Sequence, residues 1–265
     1  MFTRTLGRSN IEVSAMGLGC WAIGGLMWRD GKPTGWGEVN DDESLAALRR
    51  GIDMGITFLD TADVYGVGHS ERLVAQAIKG KRHQLMIATK FGHVFDATTR
   101  TQITTSGDPE YVRKACEASL DRLETDYVDL YQFHAGQYEP ARAGAVVEAL
   151  EELVRAGKIR CYAWSTDNVE GARVFAQGKH CAAVQHRLNI LDDAPAMLAL
   201  CAEYNLASIN RNPLGMGLLT GKINTASQFP PDDVRANPEF TARVTGEKRL
   251  KQLEAIREVL TQGGR

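Results

Sequence analysis

The sequence predicts an α/β fold: a (β/α)8 barrel of the TIM type with an N-terminal β-hairpin. Three observations predict it. Seven apolar runs of strand length recur along the 265 residues, amphipathic stretches with helix caps fill the gaps, and the units share a pattern but no fixed sequence period. Strands buried on both faces and separated by helices make a parallel sheet covered by helices, and seven such units favour a barrel over an open doubly wound sheet.

The elements follow in order. TRTLGRSNIEVS reads as a hairpin turning near Gly7 to Asn10. The predicted strands are AMGLGC (15–20), TFLDTA (57–62), LMIATKF (85–91), YVDLYQFH (127–134), IRCYAWS (159–165), AAVQHRLN (182–189) and LASINRNPL (206–214). The helices between them are DESLAALRRGIDMG, SERLVAQAIKG, DPEYVRKACEASLDRLE, ARAGAVVEALEELVRAGK, NVEGARVFAQGK and DAPAMLALCAEYN. Several open on Ser, Asp or Asn and run into Gly, as an N-cap and a terminating glycine require. Residues 21–40 and GHVFDATTRTQITTSG read as long loops. A last amphipathic helix, GEKRLKQLEAIREVLTQGG, runs to Gly264 with only Arg265 beyond it, so residues 1–265 are expected to form one barrel domain lacking its final strand-helix unit.

Composition narrows the function. Lys and Arg number 31 against 33 Asp and Glu, a net charge of −2 with no long run of one sign, which argues against a nucleic-acid or membrane surface and leaves a small molecule as the expected partner. Cys20, Cys116, Cys161, Cys181 and Cys201 are scattered, with no CxxC and no zinc spacing, so they are expected to be reduced, buried thiols and no metal site is predicted. MFTRTLGRSNIEVS lacks the apolar core of a signal peptide, and no segment approaches the roughly 20 apolar residues of a membrane span. A cytoplasmic protein is expected, and nothing sets its oligomeric state.

Barrel active sites lie at the C-terminal ends of the strands. Three predicted strand ends carry ionisable groups: Asp60 with Tyr65 just beyond it, Lys90, and His134. A lysine at the mouth of an apolar barrel needs a carboxylate, and Asp60 on the neighbouring strand supplies it. A cation beside a phenol favours the phenolate, so Lys90 is expected to lower the Tyr65 pKa toward a value useful for proton transfer. The set suits protonation of a carbonyl oxygen as hydride reaches carbon, with His134 donating to the same oxygen. Asp63, in the turn, is expected to bond its local backbone. Taken singly, each of the four also fits a structural ion pair or a core histidine.

GLGCWA, residues 17–22, matches GxGxxA, but WAIGGLMWRDGKPTGWG follows it where a dinucleotide-binding sheet would have a helix. Trp21, Trp28 and Trp36 in that stretch are candidate pocket-lining residues, Trp21 on the cofactor side, or rim aromatics packed on the barrel.

VSAMGLGCW, FLDTADVYG, IATKFG, DYVDLYQFH, WST, VQHRLN and NRNPLGMGLLTGK, in that order, resemble the aldo-keto reductase superfamily. The resemblance implies a TIM-type barrel that binds NADPH without a Rossmann domain and reduces aldehydes or ketones, with NADH not excluded. It implies that Asp60, Tyr65, Lys90 and His134 form the catalytic tetrad with Tyr65 as general acid. It further implies that Ser165 and Gln185 hold the nicotinamide carboxamide, Arg211 stacks on its ring, Asn212, Pro213, Leu214, Gly217 and Lys222 wrap the pyrophosphate, and Arg235 lies near the adenosine. Thr166 stands where many relatives have Asn in the carboxamide clamp. Two other functions compete: a Schiff-base lyase using Lys90, and a cofactor-sensing regulatory subunit similar to potassium-channel β-subunits.

Overall fold

The computed structural model describes residues 1–262. Seven parallel strands form the main sheet: β3 (Gly17–Gly19), β6 (Phe58–Asp60), β7 (Met86–Phe91), β10 (Val128–Phe133), β11 (Ile159–Ser165), β12 (Cys181–Arg187) and β13 (Ala207–Arg211). They neighbour one another in chain order, with β3 and β13 at the two ends. Helices α1 (Asp41–Asp53), α2 (His69–Ile78), α3 (Pro109–Leu123), α4 (Ala143–Arg155), α5 (Val169–Ala176) and α6 (Pro195–Glu203) cross over between the strands, and each packs on the next. Every predicted strand and crossover helix is present. The end of the last predicted helix, Gly263 and Gly264, lies outside the described residues; α8 spans Glu247–Thr261.

Local sequence fixes the helix starts. Asn40 accepts from the Glu43 N–H at 3.1 Å, Asp108 from the Glu110 and Tyr111 N–H groups, and Asn168 from those of Glu170 and Gly171, which satisfies donors a helix leaves open. The apolar faces of the helices bury Leu59, Ile87, Tyr131, Phe133, Trp164 and Val184 on the outside of the sheet.

The inside of the sheet has a second core. Phe58, Met86, Ala88, Leu130, Cys161, Ala163 and Ala183 meet Leu6, Ile11 and Val13 of the hairpin β1 (Thr3–Thr5) and β2 (Glu12–Ser14). The hairpin turns at Gly7, φ +50, where a Cβ would lie 2.3 Å from the Ala182 carbonyl oxygen. Successive side chains of a strand alternate in direction, so two residues further along each strand the same inward series reaches the opposite end. Phe58 is followed by Asp60, Ala88 by Lys90, Leu130 by Gln132, Ala163 by Ser165 and Ala183 by Gln185. The inner face is apolar at the hairpin end and polar at the other.

Both stretches read as loops from sequence contain strands. β4 (Trp28–Arg29), β5 (Lys32–Pro33), β8 (His93–Asp96) and β9 (Thr101–Thr105) form a four-stranded sheet in the order β5-β4-β9-β8. The strands are too short for periodicity to expose them, and the pairing of β4 with β9, Trp28 opposite Thr101 and Arg29 opposite Gln102, joins residues far apart in sequence and leaves no local signal. Residues 17–22 are β3 and a short turn of helix, Ala22–Gly24 following, and not a phosphate-binding strand-to-helix junction. A further short helix, α7 (Pro238–Val244), and the segment before it close over residues 21–40: Val234 N–H donates to Gly35 O at 2.7 Å, and Asn237 Nδ2 to Pro33 O at 3.3 Å.

Candidate active site

The polar end of the barrel gathers the predicted tetrad. Lys90 is fully enclosed, and its Nζ donates to Asp60 Oδ2 and to the Thr61 carbonyl oxygen, both at 2.7 Å, and to the Tyr65 hydroxyl at 3.4 Å. Tyr65 is held in the turn after β6 by close approach of Gly24, where a Cβ would lie 3.0 Å from the Tyr65 Cβ. Its ring stacks on Trp21 at 6.1 Å and meets His134 edge-on at 5.8 Å. His134 follows β10 directly, its N–H donating to Phe91 O at 2.7 Å.

The surroundings set the charges. Burial opposes the Lys90 ammonium, but Asp60 and then Tyr65 favour it, and its pKa is raised: the group is a cation. Burial pushes the Tyr65 phenol up from its ordinary value; Lys90 pulls down and Asp60 pushes up. The sequence expectation that Lys90 lowers this pKa is therefore corrected in the net: the lysine acts in the expected sense, and desolvation outweighs it. Burial holds His134 well below the usual imidazole range, and His93, Lys90 and Arg211 add to the effect, so its ring is neutral.

Asp63 stands apart. It is buried behind the strand of Lys90, its N–H donating to Lys90 O at 3.2 Å, and its carboxyl Oδ1 is enclosed without a hydrogen-bond partner among the described residues. Burial and then the nearby Glu71 push its pKa well up, against Arg122, which is itself bound to Glu71 at 2.6 Å.

Sequence reasoning missed Gln132. Its Nε2 donates to Asp60 Oδ1 at 2.7 Å, so the carboxylate is held from one side by Gln132 and from the other by Lys90. Gln132 pairs with Lys90 in register on the adjacent strand and is fully buried. The signal was present: a lone amide in VDLYQF, two residues after inward-facing Leu130.

A family model, the Aldo/keto reductase family, matches residues 15–265. The chain belongs to that family. It is 32% identical over 261 residues to the NADH-specific methylglyoxal reductase of Escherichia coli K12, a match that spans 94% of this chain and 78% of that protein. The structure of a glycerol dehydrogenase from Gluconobacter oxydans superimposes with a TM-score of 0.80 at 30% identity, over 99% of this chain and 79% of that one. An aldo-keto reductase from Klebsiella pneumoniae in complex with NADPH superimposes with a TM-score of 0.62 at 31% identity, over 82% of this chain and 70% of that one. Like them, the chain is an oxidoreductase on an α/β barrel, and no described helix is long and apolar enough to cross a membrane.

For an aldo-keto reductase, the remaining predicted residues divide into two groups. Ser165 and Gln185 are buried at the ends of β11 and β12, and Ser165 Oγ donates to Gln185 Oε1 at 2.9 Å, which leaves the Gln185 amide N–H groups for another acceptor. That arrangement fits a carboxamide. Next to Ser165, the Thr166 hydroxyl donates to Gly136 O at 2.9 Å and accepts from Asn168 N–H at 3.0 Å, which leaves one lone pair for a further donor.

Beyond β13 the residues are more exposed and already engaged with protein. Arg211 is ion-paired to Asp167, whose other oxygen accepts from Arg187 N–H at 2.8 Å. Asn212 O accepts from Asn189 Nδ2 and Gly215 N–H, while Pro213 and Leu214 are exposed. Met216 and Gly217, at φ 57 and 98, turn the backbone through the left-handed region. Lys222 is exposed. Arg235 is bound to Asp233 through two nitrogens, at 3.0 and 2.7 Å, and lies over the rings of Phe229 and Trp36 at 4.4 and 5.0 Å. Trp21, expected on the cofactor side, packs against Trp36 and donates from its indole to Thr34 O at 3.1 Å. The cationic side chains and the carboxamide-compatible pair together suit a nicotinamide dinucleotide.

Proposed function

We propose that the chain reduces an aldehyde or ketone to an alcohol with NADPH, reversibly, and that Tyr65 supplies the proton. NADH is the second candidate donor, as in the NADH-specific relative. The observation that carries the reading is Lys90 Nζ, fully enclosed, between Asp60 at 2.7 Å and the Tyr65 hydroxyl at 3.4 Å. A bound nicotinamide supplies hydride to the carbonyl carbon.

The protein's part is charge and proton control. Neutral His134 donates a hydrogen bond to the carbonyl oxygen and orients it, while the raised pKa keeps the Tyr65 phenol protonated in the resting site. As negative charge develops on the substrate oxygen, that oxygen takes the Tyr65 proton, and the phenolate left behind faces the Lys90 ammonium. Asp60, fixed by Gln132, keeps the ammonium in place. In the reverse direction the same phenolate accepts the alcohol proton. Ser165 and Gln185 hold the carboxamide, Arg211 stacks on the ring, and Asn212, Pro213, Leu214, Gly217, Lys222 and Arg235 receive the phosphates and adenosine once their present partners are exchanged.

A Schiff-base lyase is disfavoured by the same geometry, because an ammonium paired with a carboxylate and raised in pKa is a poor nucleophile. The test is NADPH and NADH oxidation across a panel of aldehydes and ketones. Turnover supports the reductase; tight NADPH binding by calorimetry with no turnover on any carbonyl turns the reading toward a cofactor-sensing subunit, and a borohydride-trapped adduct on Lys90 toward the lyase.

A further inference from the structure

Asp63 has no part in the chemistry above, yet its carboxyl is enclosed in the middle of the turn that carries Tyr65. That turn ties two tetrad members together. Thr61 O accepts from Lys90 Nζ at 2.7 Å, Asp63 N–H donates to Lys90 O at 3.2 Å, and Tyr65 N–H donates to Ala62 O at 3.2 Å. A shift of the backbone at Asp63 therefore disturbs both the anchor of the lysine and the phenol.

The neighbours of the carboxyl decide its charge. Glu71 of α2, Arg122 and Tyr111 of α3, Lys90 of β7 and Tyr131 of β10 all act on it electrostatically. The cations among them are already matched. Arg122 Nε donates to Glu71 Oε2 at 2.6 Å and its Nη2 to Ser119 Oγ at 3.2 Å, while Lys90 is paired with Asp60 at 2.7 Å. Glu71 also accepts from Thr89 Oγ1 at 2.6 Å. The Tyr111 hydroxyl donates to His93 O at 3.1 Å, and the Tyr131 hydroxyl, like Asp63 Oδ1, is enclosed without a partner among the described residues. An ionised Asp63 would be a second carboxylate beside Glu71 with no cation of its own. Burying such a charge costs far more than burying the neutral acid. The raised Asp63 pKa has the same origin, burial first and Glu71 second.

We propose that Asp63 is a positioning residue that works as an uncharged carboxylic acid, and that losing its proton at alkaline pH loosens the turn between Lys90 and Tyr65 and slows turnover. This rests on the reductase reading of the tetrad. An anion at Asp63 must either draw Arg122 away from Glu71 or turn toward water, and each displaces residues 61–65. Lys90 then loses Thr61 O, and the phenol loses its place beside the ammonium. With a folded-state pKa above the ordinary carboxylate value, the folded chain holds this proton after the unfolded one has released it. The stability Asp63 contributes is present at acid pH and is lost as pH rises through the folded-state pKa.

The test measures kcat for wild type and Asp63→Asn, with saturating NADPH and one reducible aldehyde, from about pH 6 to about pH 10, alongside infrared spectra of wild type over the same range. Asn keeps the size and neutrality of the acid and has no proton to lose. The ratio of kcat in Asp63→Asn to kcat in wild type should rise about ten-fold across the range, and the ratio cancels the ionisation of Tyr65 and of every other shared group. In the infrared, the carbonyl stretch of a protonated carboxyl, separate from the carboxylate band, should be present in wild type at neutral pH and fade as the ratio rises. A flat ratio, or a neutral-pH spectrum without that band, overturns the proposal. Should Asp63→Asn not fold, the band and wild-type kcat must fall with one midpoint, and separate midpoints overturn it. If wild type reduces no carbonyl, the reductase reading falls and the positioning role with it; turnover with a flat ratio removes the proposal alone.

Discussion

The two ends of the cofactor and substrate site are built differently. At β6, β7 and β10 the ionisable groups are enclosed and hold one another: Lys90 touches Asp60, Thr61 O and Tyr65, and Gln132 closes the other side of Asp60. Beyond β13 the charged groups are partly exposed and tied to other protein groups, Arg211 to Asp167 and Arg235 to Asp233. The first arrangement is complete as it stands, which is what a transition state needs, since dipoles already in place cost nothing to reorganise. On the proposed function the second would exchange partners as the cofactor phosphates bind, and would govern affinity and release more than chemistry. The consequence is a clean division of kinetic effects: changes at the first end lower kcat, and changes at the second raise KM for the cofactor.

The strongest test of that division short of the tyrosine itself is Lys90→Met. It removes the cation facing the phenolate and should lower kcat about 1,000-fold. It also strands the Asp60 carboxylate, and breaking a buried pair costs roughly 3 to 5 kcal/mol, so the urea midpoint should fall in parallel. Gln132→Met comes next. With the amide donor gone and the volume kept, Asp60 holds Lys90 less firmly, and kcat should drop about ten-fold, the scale of one hydrogen bond to a charged group, with KM for NADPH unchanged. A rise in KM with constant kcat would break the comparison, because Gln132 would then act on binding.

At the other end, Arg235→Ala should raise KM for NADPH about ten-fold at low salt, less at high salt, and leave kcat unaltered. A fall in kcat of the same size would place Arg235 among the chemical groups.

The smallest effect is on stability. The His93 pKa is lowered from 6.5 to about 4, so the unfolded chain takes up a proton before the folded one does. His93 thus contributes stability that is present above pH 6.5 and is lost as pH falls toward about 4. Urea midpoints should drop between about pH 7 and 5, and less so in His93→Phe.

How much of this was legible in the sequence depends on range. The seven strands and their crossover helices follow from local pattern and caps, and Asp60, Tyr65, Lys90 and His134 stand out because charge at the end of a buried strand demands a reason. Gln132 was overlooked because an amide carries no charge to draw attention; its place in the inward series after Leu130, level with Lys90, was nevertheless readable. The sheet of β4, β5, β8 and β9 was not, since its pairing joins distant short strands. Nor was the sign of the Tyr65 shift, because burial is a property of the folded neighbourhood and not of the FLDTADVYG stretch that carries the residue.

The central claim is that Tyr65 gives the proton in a site already assembled around it. It is tested most directly by Tyr65→Phe, which keeps the ring against Trp21 and His134 and removes only the hydroxyl. With saturating NADPH and a reducible aldehyde, kcat should fall at least about 1,000-fold while NADPH affinity, measured by fluorescence titration, stays within about two-fold. Unchanged turnover in Tyr65→Phe would contradict the account.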